Sequence, residues 1–292
     1  MTAQRFRDRI AEERIIVAPG CYDALSARLV EQAGFEAVYM TGYGVSATLI
    51  GQPDVGLVTM TEMVSRAGHL ASAVGIPVIA DADTGYGSAI NVMRTVREYI
   101  RAGVAAIHLE DQVFPKKCGH TRGKQVIPKE EMVGKLLAAV DSRGNSDLVI
   151  IARTDANAVH GLDDAMDRAR AYIEAGADMI FVEAPKSVEE MRRIHEELRS
   201  PLVANMVEKG LTPLLKNQEL EAIGFRLVLY PLSSLMAATR AIRDLLRTLK
   251  ETGATEEFRS RMIEFPELSR IVGFEKFYER EQKYCLSDKK LV

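Results

Sequence analysis

A chain of 292 residues with 47% hydrophobic and 27% charged side chains can bury one large core, which excludes a disordered or fibrous protein. Its formal net charge of -3 offers no clustered basic excess for nucleic acid or an anionic membrane. No apolar run approaches the roughly 20 residues of a membrane span.

The opening stretch, MTAQRFRDRIAEERIIVAPG, is charged throughout and has no signal-peptide core. Three cysteines, Cys21, Cys118 and Cys285, are odd in number and far apart, which points to a reducing, cytoplasmic setting. Eight short apolar runs follow one another along the chain, at 15–19, 37–41, 77–81, 106–110, 148–153, 179–183, 202–205 and 227–230. They lack in-out alternation, as expected of strands covered on both faces. Helix-period stretches lie between them, and Gly34, Gly103, Gly176 and Gly224 stand where helices should stop.

Eight repeats of strand then helix predict an α/β protein with a closed (β/α)8 barrel. An open doubly wound sheet is the alternative, weakened because no Gly-x-Gly-x-x-Gly follows the first strand. No linker interrupts the chain, so residues 1–292 read as one domain. A long helix is expected near 235–253, and 254–292 as a helical extension. Phe265, Phe274, Phe277 and Tyr278 in that extension need a surface to cover them, which suggests an oligomer contact.

In such a barrel the reacting groups come from the carboxyl ends of the strands and the loops beyond. Those positions hold Tyr43, Asp81, Asp83, His108, Glu110, Asp111, Arg153, Glu183 and Asn205. Asp81 and Asp83 share a spacing of two, which in extended chain turns both carboxylates the same way. A single strand-end Asp is commonly a helix cap, but several acids around one mouth repel unless a cation lies among them. Oxygen donors of this kind suit Mg²⁺, or Mn²⁺, better than zinc. Asp81 or Asp83 would bind directly and Glu110 partly through water. Arg153 and Asn205 would hold a substrate carboxylate, Arg153 by its two-pronged donor geometry, unless it only neutralises the acids.

The loop PKKCGHTRGK, after the fourth strand, is basic and glycine-flanked, and is placed to fold over the mouth as a lid. Lys116, Lys117 and His120 would make Cys118 more acidic and suit it to proton exchange. The stretch GHTRGK lacks the strand-to-helix context of a phosphate loop.

At these residues the chain resembles the isocitrate lyase and phosphoenolpyruvate mutase superfamily, nearly end to end. The resemblance runs from CYDALSARLVEQAGFEAVYMTGYG through DADTGYG, HLEDQVFPKKCGH, ARTDA and FVEAP to NMVEKGLTPL and YPLSSL. It implies a homotetramer with C-terminal helices exchanged between subunits, a Mg²⁺ ion and a small dicarboxylate substrate. By the same resemblance Asp83 is the direct metal ligand, supported by Asp81 and, through water, Glu110. Asp54 lies near the metal waters, Thr41, Gly42 and Tyr43 contact a substrate carboxylate, and Gly119, Arg153, Glu183 and Asn205 complete the substrate contacts. Cys118 resembles the general acid of the branch that breaks carbon-carbon bonds, with Lys116 and His120 beside it.

Within the superfamily the chain is similar to the branch of methylisocitrate and 2,3-dimethylmalate lyases. Met236 and Phe265 stand where a methylisocitrate lyase places arginines, which disfavours a third carboxylate. Tyr43 stands where those enzymes tend to have glycine. The expected reaction is carbon-carbon cleavage of a 2-hydroxy or 2-oxo dicarboxylate resembling 2,3-dimethylmalate, with oxaloacetate hydrolysis beside it. The alternatives are methylisocitrate cleavage, a phosphonomutase-type reaction, and a non-catalytic binder.

Overall fold

The computed structural model describes residues 2–119, 121 and 123–284. Its strands are β1 (Ile16–Cys21), β2 (Val38–Met40), β3 (Val78–Asp81), β4 (Ala106–Glu110), β5 (Val149–Thr154), β6 (Met179–Val182), β7 (Val203–Asn205) and β8 (Leu227–Tyr230). Each agrees with its expected run to within a residue or two. Neighbouring strands are parallel, in the order β6-β5-β4-β3-β2-β1-β8-β7. A parallel bridge between Ile180 and Leu202 brings the two ends of that order together, so the sheet curls into a nearly closed (β/α)8 barrel. The open-sheet alternative falls on that bridge. Gly34, Gly103, Gly176 and Gly224 take φ of 86°, 83°, 96° and 115° at or just past helix ends, the left-handed turn that glycine adopts without a Cβ penalty.

The strands have no polar face because each face meets a different core. Ile16, Ala18, Tyr39, Ile79, Ile151, Phe181 and Leu229 point inward and pack with one another. Phe6 and Ile10, from the helix Thr2–Ile10, join that inner cluster. Val38, Met40, Val78, Ile107, Leu109, Ile150 and Val182 point outward and pack in the second cluster with helix residues such as Val96, Leu136 and Met166. Each fully buried side chain of this size contributes roughly 1.5–3 kcal/mol from burial alone.

The chain divides into two compact units, Met1–Met236, which contains the barrel, and Ala237–Val292. The expected long helix is Ser233–Thr252. Within the second unit Asp244 is buried and accepts from Arg240 Nε at 2.7 Å and Arg261 Nη2 at 3.3 Å. The Arg261 guanidinium in turn lies 4.4 Å from the centre of the Phe258 ring. Two further helices, Phe265–Val272 and Phe274–Tyr284, leave Phe265 77% and Phe277 62% exposed. Among the described residues no helix is long and apolar enough to cross a membrane.

Candidate active site

The inward-facing positions change character where the strands leave the packed interior. Ile79 is followed two residues on by Asp81, His108 by Glu110, Ile151 by Arg153, Phe181 by Glu183 and Val203 by Asn205. The strand period of two keeps each pair on one face, so the polar members gather at the carboxyl end of the barrel. All of them but Glu183 border a cleft whose lining includes Tyr39, Thr41, Tyr43, Asp54, Asp81, Glu110, Lys116, Cys118, Gly119, Arg153 and Asn205. Val207, Pro231 and Leu232 supply an apolar stretch of its wall.

Thr41 caps the helix Gly42–Leu49, and the Gly42 N–H donates to Asp81 Oδ2 at 3.2 Å. A Cβ on Gly42 would collide with the Asp81 carboxylate, so this close approach requires glycine. Tyr43, 39% exposed, stands in the first turn of that helix and reaches the cleft.

Asp83, Gly42 and Glu183 stand behind the lining. Asp83 does not continue β3 in extended form. Its φ is 47°, and its N–H turns back to Asp81 Oδ1 at 2.8 Å. The expected alternation argument therefore fails for this residue, although its carboxylate still joins the cluster through Lys116. The Lys116 ammonium lies 2.7 Å from Asp83 Oδ1 and 2.5 Å from Asp54 Oδ1. Arg153 Nε reaches Asp155 Oδ2 at 2.8 Å and Glu110 Oε2 at 3.3 Å, and its Nη2 reaches Glu183 Oε2 at 3.5 Å. The guanidinium lies 5.0 Å from the centre of the Phe181 ring. Asn205 Nδ2 is 3.3 Å from both Glu183 oxygens.

Burial raises the Asp83 carboxyl to about 6 in spite of Lys116, with Asp81 and Asp54 adding repulsion. Burial also lifts Glu110 well above the usual carboxylate range, against the pull of Arg153. For Asp81 burial is outweighed by nearby positive charge and the Asp83 N–H, and its carboxyl is lowered.

Two of the expected mouth residues lie elsewhere. His108 is fully buried inside the barrel, one step below Glu110, with its Nε2 2.8 Å from the Tyr39 hydroxyl. Burial lowers its pKa, so the imidazole is neutral near pH 7. Asp111 follows Glu110 and so faces the opposite way, where it accepts from Thr154 Oγ1 at 2.7 Å and the Tyr172 hydroxyl at 2.8 Å.

In the loop after β4, Cys118 is partly buried, forms no disulfide among the described residues, and lines the cleft. Lys116 is drawn to Asp54 and Asp83, and Lys117 Nζ donates to Gly123 O at 2.7 Å. Each lysine expected to surround the thiol thus has a partner of its own. Gln112 braces the loop through the Lys117 backbone, at 2.8 and 2.9 Å. His120 lies outside the described residues.

The family model for phosphoenolpyruvate phosphomutase matches residues 6–250. The chain belongs to the phosphoenolpyruvate mutase and isocitrate lyase superfamily. It is 54% identical to 2,3-dimethylmalate lyase of Eubacterium barkeri, over 97% of this chain and 98% of that one. It is 49% identical to the chloroplastic carboxyvinyl-carboxyphosphonate phosphorylmutase of Arabidopsis thaliana, over 96% of this chain and 84% of that one. Among solved structures, a 2,3-dimethylmalate lyase in a trigonal crystal form superposes with a TM-score of 0.93 at 39% identity, covering 100% and 98% of the two chains. A phosphonopyruvate hydrolase in complex with oxalate and Mg²⁺ gives 0.88 at 31% identity, covering 97% and 99%.

Superfamily membership raises the question of a divalent cation, and the donor set suits one. Asp54, Asp81, Asp83, Glu110, Asp155 and Glu183 are buried, and among the described residues the cations that pair with them are Lys116, Lys124 and Arg153. Glu110 Oε1 is buried without a hydrogen-bond partner among the described residues. Hard carboxylate oxygens with a deficit of positive charge fit Mg²⁺ chemistry. Among the described residues, however, no three acidic, Cys or His side chains are grouped closely enough to share one ion. The acids gather instead about the Lys116 ammonium and the Arg153 guanidinium.

Asp155 and Lys124 belong to this site and escaped the reading of the sequence. The two-residue step from Arg153 to Asp155 was the available signal for the first. Nothing local marks Lys124, whose partner lies 31 residues away in the chain.

Proposed function

We propose that the chain is a Mg²⁺-dependent carbon-carbon lyase that cleaves a 2-hydroxy dicarboxylate of the 2,3-dimethylmalate type. The observation that carries this reading is the cleft itself, whose lining brings together the Cys118 thiol, Arg153 and Tyr43. Mg²⁺ would be held directly by Asp83, supported by Asp81 and, through water, by Glu110, and when bound it supplies positive charge that favours loss of the 2-hydroxyl proton. Arg153, with Asn205 and the Thr41–Tyr43 segment, binds and orients the carboxylate. Asp155 and Glu183 keep the guanidinium aligned while this happens.

Tyr43 relays the 2-hydroxyl proton outward. The oxygen's electron pair then forms the carbonyl of pyruvate, and the C2–C3 pair departs with C3 as the enolate of the second product. Cys118 donates its proton to that carbon, which leaves a saturated carboxylate. Lys116 holds the loop down at the Asp54 and Asp83 carboxylates during the step. Oxaloacetate, as its hydrate, undergoes the same cleavage to oxalate and acetate. The protein is proposed to work in the cytoplasm as a homotetramer. The exposed Phe265, Phe274, Phe277 and Tyr278 support exchange of C-terminal helices between subunits.

The similarity to the carboxyvinyl-carboxyphosphonate phosphorylmutase supports a second reading, phosphorus transfer on a phosphonate-type substrate. Purified protein with Mg²⁺ is assayed for turnover of 2,3-dimethylmalate, methylisocitrate, isocitrate, oxaloacetate and phosphonopyruvate. Turnover of 2,3-dimethylmalate or oxaloacetate above the others supports the proposal. Faster turnover of methylisocitrate refutes the argument from Met236 and Phe265, and phosphonopyruvate as the sole substrate establishes the second reading.

A further inference from the structure

We propose that Lys124 is a positioning residue, whose ammonium ties the Cys118 loop to Asp155 and through it to Arg153. The role rests on the reading of Cys118 as proton donor and Arg153 as substrate clamp. Lys124 stands at the far end of the loop, yet its side chain is only 1% exposed. Its Nζ donates to the backbone oxygen of Gly119 at 2.5 Å and to Asp155 Oδ1 at 2.8 Å. The Arg153 guanidinium grips the same carboxylate, Nε to Oδ2 at 2.8 Å and Nη2 to Oδ1 at 3.1 Å. One oxygen of Asp155 is therefore shared between the cation that holds the loop and the cation that holds the substrate.

The anchor is rigid and the contact is close. Asp155 is fully buried, and its own N–H donates to Asp111 Oδ1 at 2.9 Å. Asp111 is fixed from the other side by Thr154 and Tyr172. At the loop end, a Cβ on Gly119 would collide with Arg153 Nη2 and the Glu183 carboxylate. The backbone next to Cys118 thus rests directly on the pair that Asp155 aligns. Burying an ammonium in a loop is costly unless its charge is paired and its protons are accepted, and here Asp155 and Gly119 do both. Lys117 offers a contrast. Its ammonium is exposed and donates to Gly123 O of its own loop. Lys124 instead sets the height at which the thiol stands over the mouth, and ties that height to the orientation of Arg153.

The test uses the full-length protein and the variants Lys124→Met, Lys124→Gln, Asp155→Asn and Lys124→Met/Asp155→Asn. Hydrogen-deuterium exchange of the peptide 113–126, without substrate, reads the loop independently of any reaction. Both Lys124 variants should speed that exchange by about fivefold or more, the scale of one lost charge-assisted contact, while the peptide 149–154 keeps its protection. The double variant should exchange within about twofold of the faster single one, because both substitutions break one chain of contacts. On 2,3-dimethylmalate the Lys124 variants should lose kcat by a larger factor than they raise KM.

Wild-type exchange in both Lys124 variants, multiplicative effects in the double variant, or a change confined to KM would overturn the proposal. Two substitutions at Lys124 guard against failure of either one to fold. A wild-type protein inactive on every substrate would refute the proposed reaction and leave the exchange comparison valid.

Discussion

A single residue separates Ile79 from Asp81 and Phe181 from Glu183, yet the two levels of the barrel they belong to are stabilised in different ways. The inner waist is apolar apart from His108 and Tyr39, and its side chains are held by close packing. The mouth holds six buried carboxyl groups about Lys116, Lys124 and Arg153, and each of its members depends on specific partners. A packed waist can be trimmed by a methyl group with a local effect. A buried ion network loses a charge only by leaving its neighbours uncompensated. The stability of the waist thus carries a mouth whose buried charges must compensate one another.

The largest loss of stability is expected at the mouth. Arg153→Met removes a partner of Asp155, Glu110 and Glu183 at once and should cost about 3–5 kcal/mol in metal-free protein. Chemical denaturation reads this directly, and a loss below that of an ordinary surface substitution would show that the network is not what holds the mouth. At the waist, Ile79→Ala should cost about 2–5 kcal/mol, set by the cavity it leaves. That loss should be the same with or without Mg²⁺, whereas the Arg153→Met loss should change when the cation is present. Equal responses of the two variants would erase the distinction between the levels.

The smallest effect expected is a pH dependence. Asp83, raised by burial from its ordinary 3.8 to about 6, favours the metal-free fold below pH 3.8, and that contribution is lost as pH rises through 6. A divalent cation competes with the Asp83 proton. Its affinity should therefore fall as pH drops below 6, by up to about tenfold per unit for the Asp83 proton, with protonation of the raised Glu110 adding to the loss. Titration calorimetry with Mg²⁺ between pH 5 and 8 measures this, and constant affinity across the range would remove Asp83 from the ligand set.

What could be read from the residues alone follows the same division. The strands were visible because each is a short apolar run bounded by turn residues, and the helix stops because Gly34, Gly103, Gly176 and Gly224 occupy left-handed positions. Sequence does not report height within the barrel. His108 has the same spacing to Glu110 that Ile151 has to Arg153, and only the assembled sheet shows that it lies inside. The expected alternation at Asp83 rests on an extended geometry that this residue does not adopt, because a left-handed residue directly after a strand leaves little local sign unless it is glycine. Lys124 and Asp155 were missed for a related reason. Their contact closes a loop of the chain, and no periodicity encodes which distant acid a lysine will meet.

Replacement of Cys118 by Ser tests the central claim most directly, with turnover of 2,3-dimethylmalate and calorimetric binding of oxalate in the presence of Mg²⁺ measured on the same preparation. General-acid catalysis by the thiol predicts a fall in kcat of about a hundred- to ten-thousandfold with oxalate affinity retained. A kcat within a few-fold of wild type would contradict it and move proton delivery to another group on the cleft.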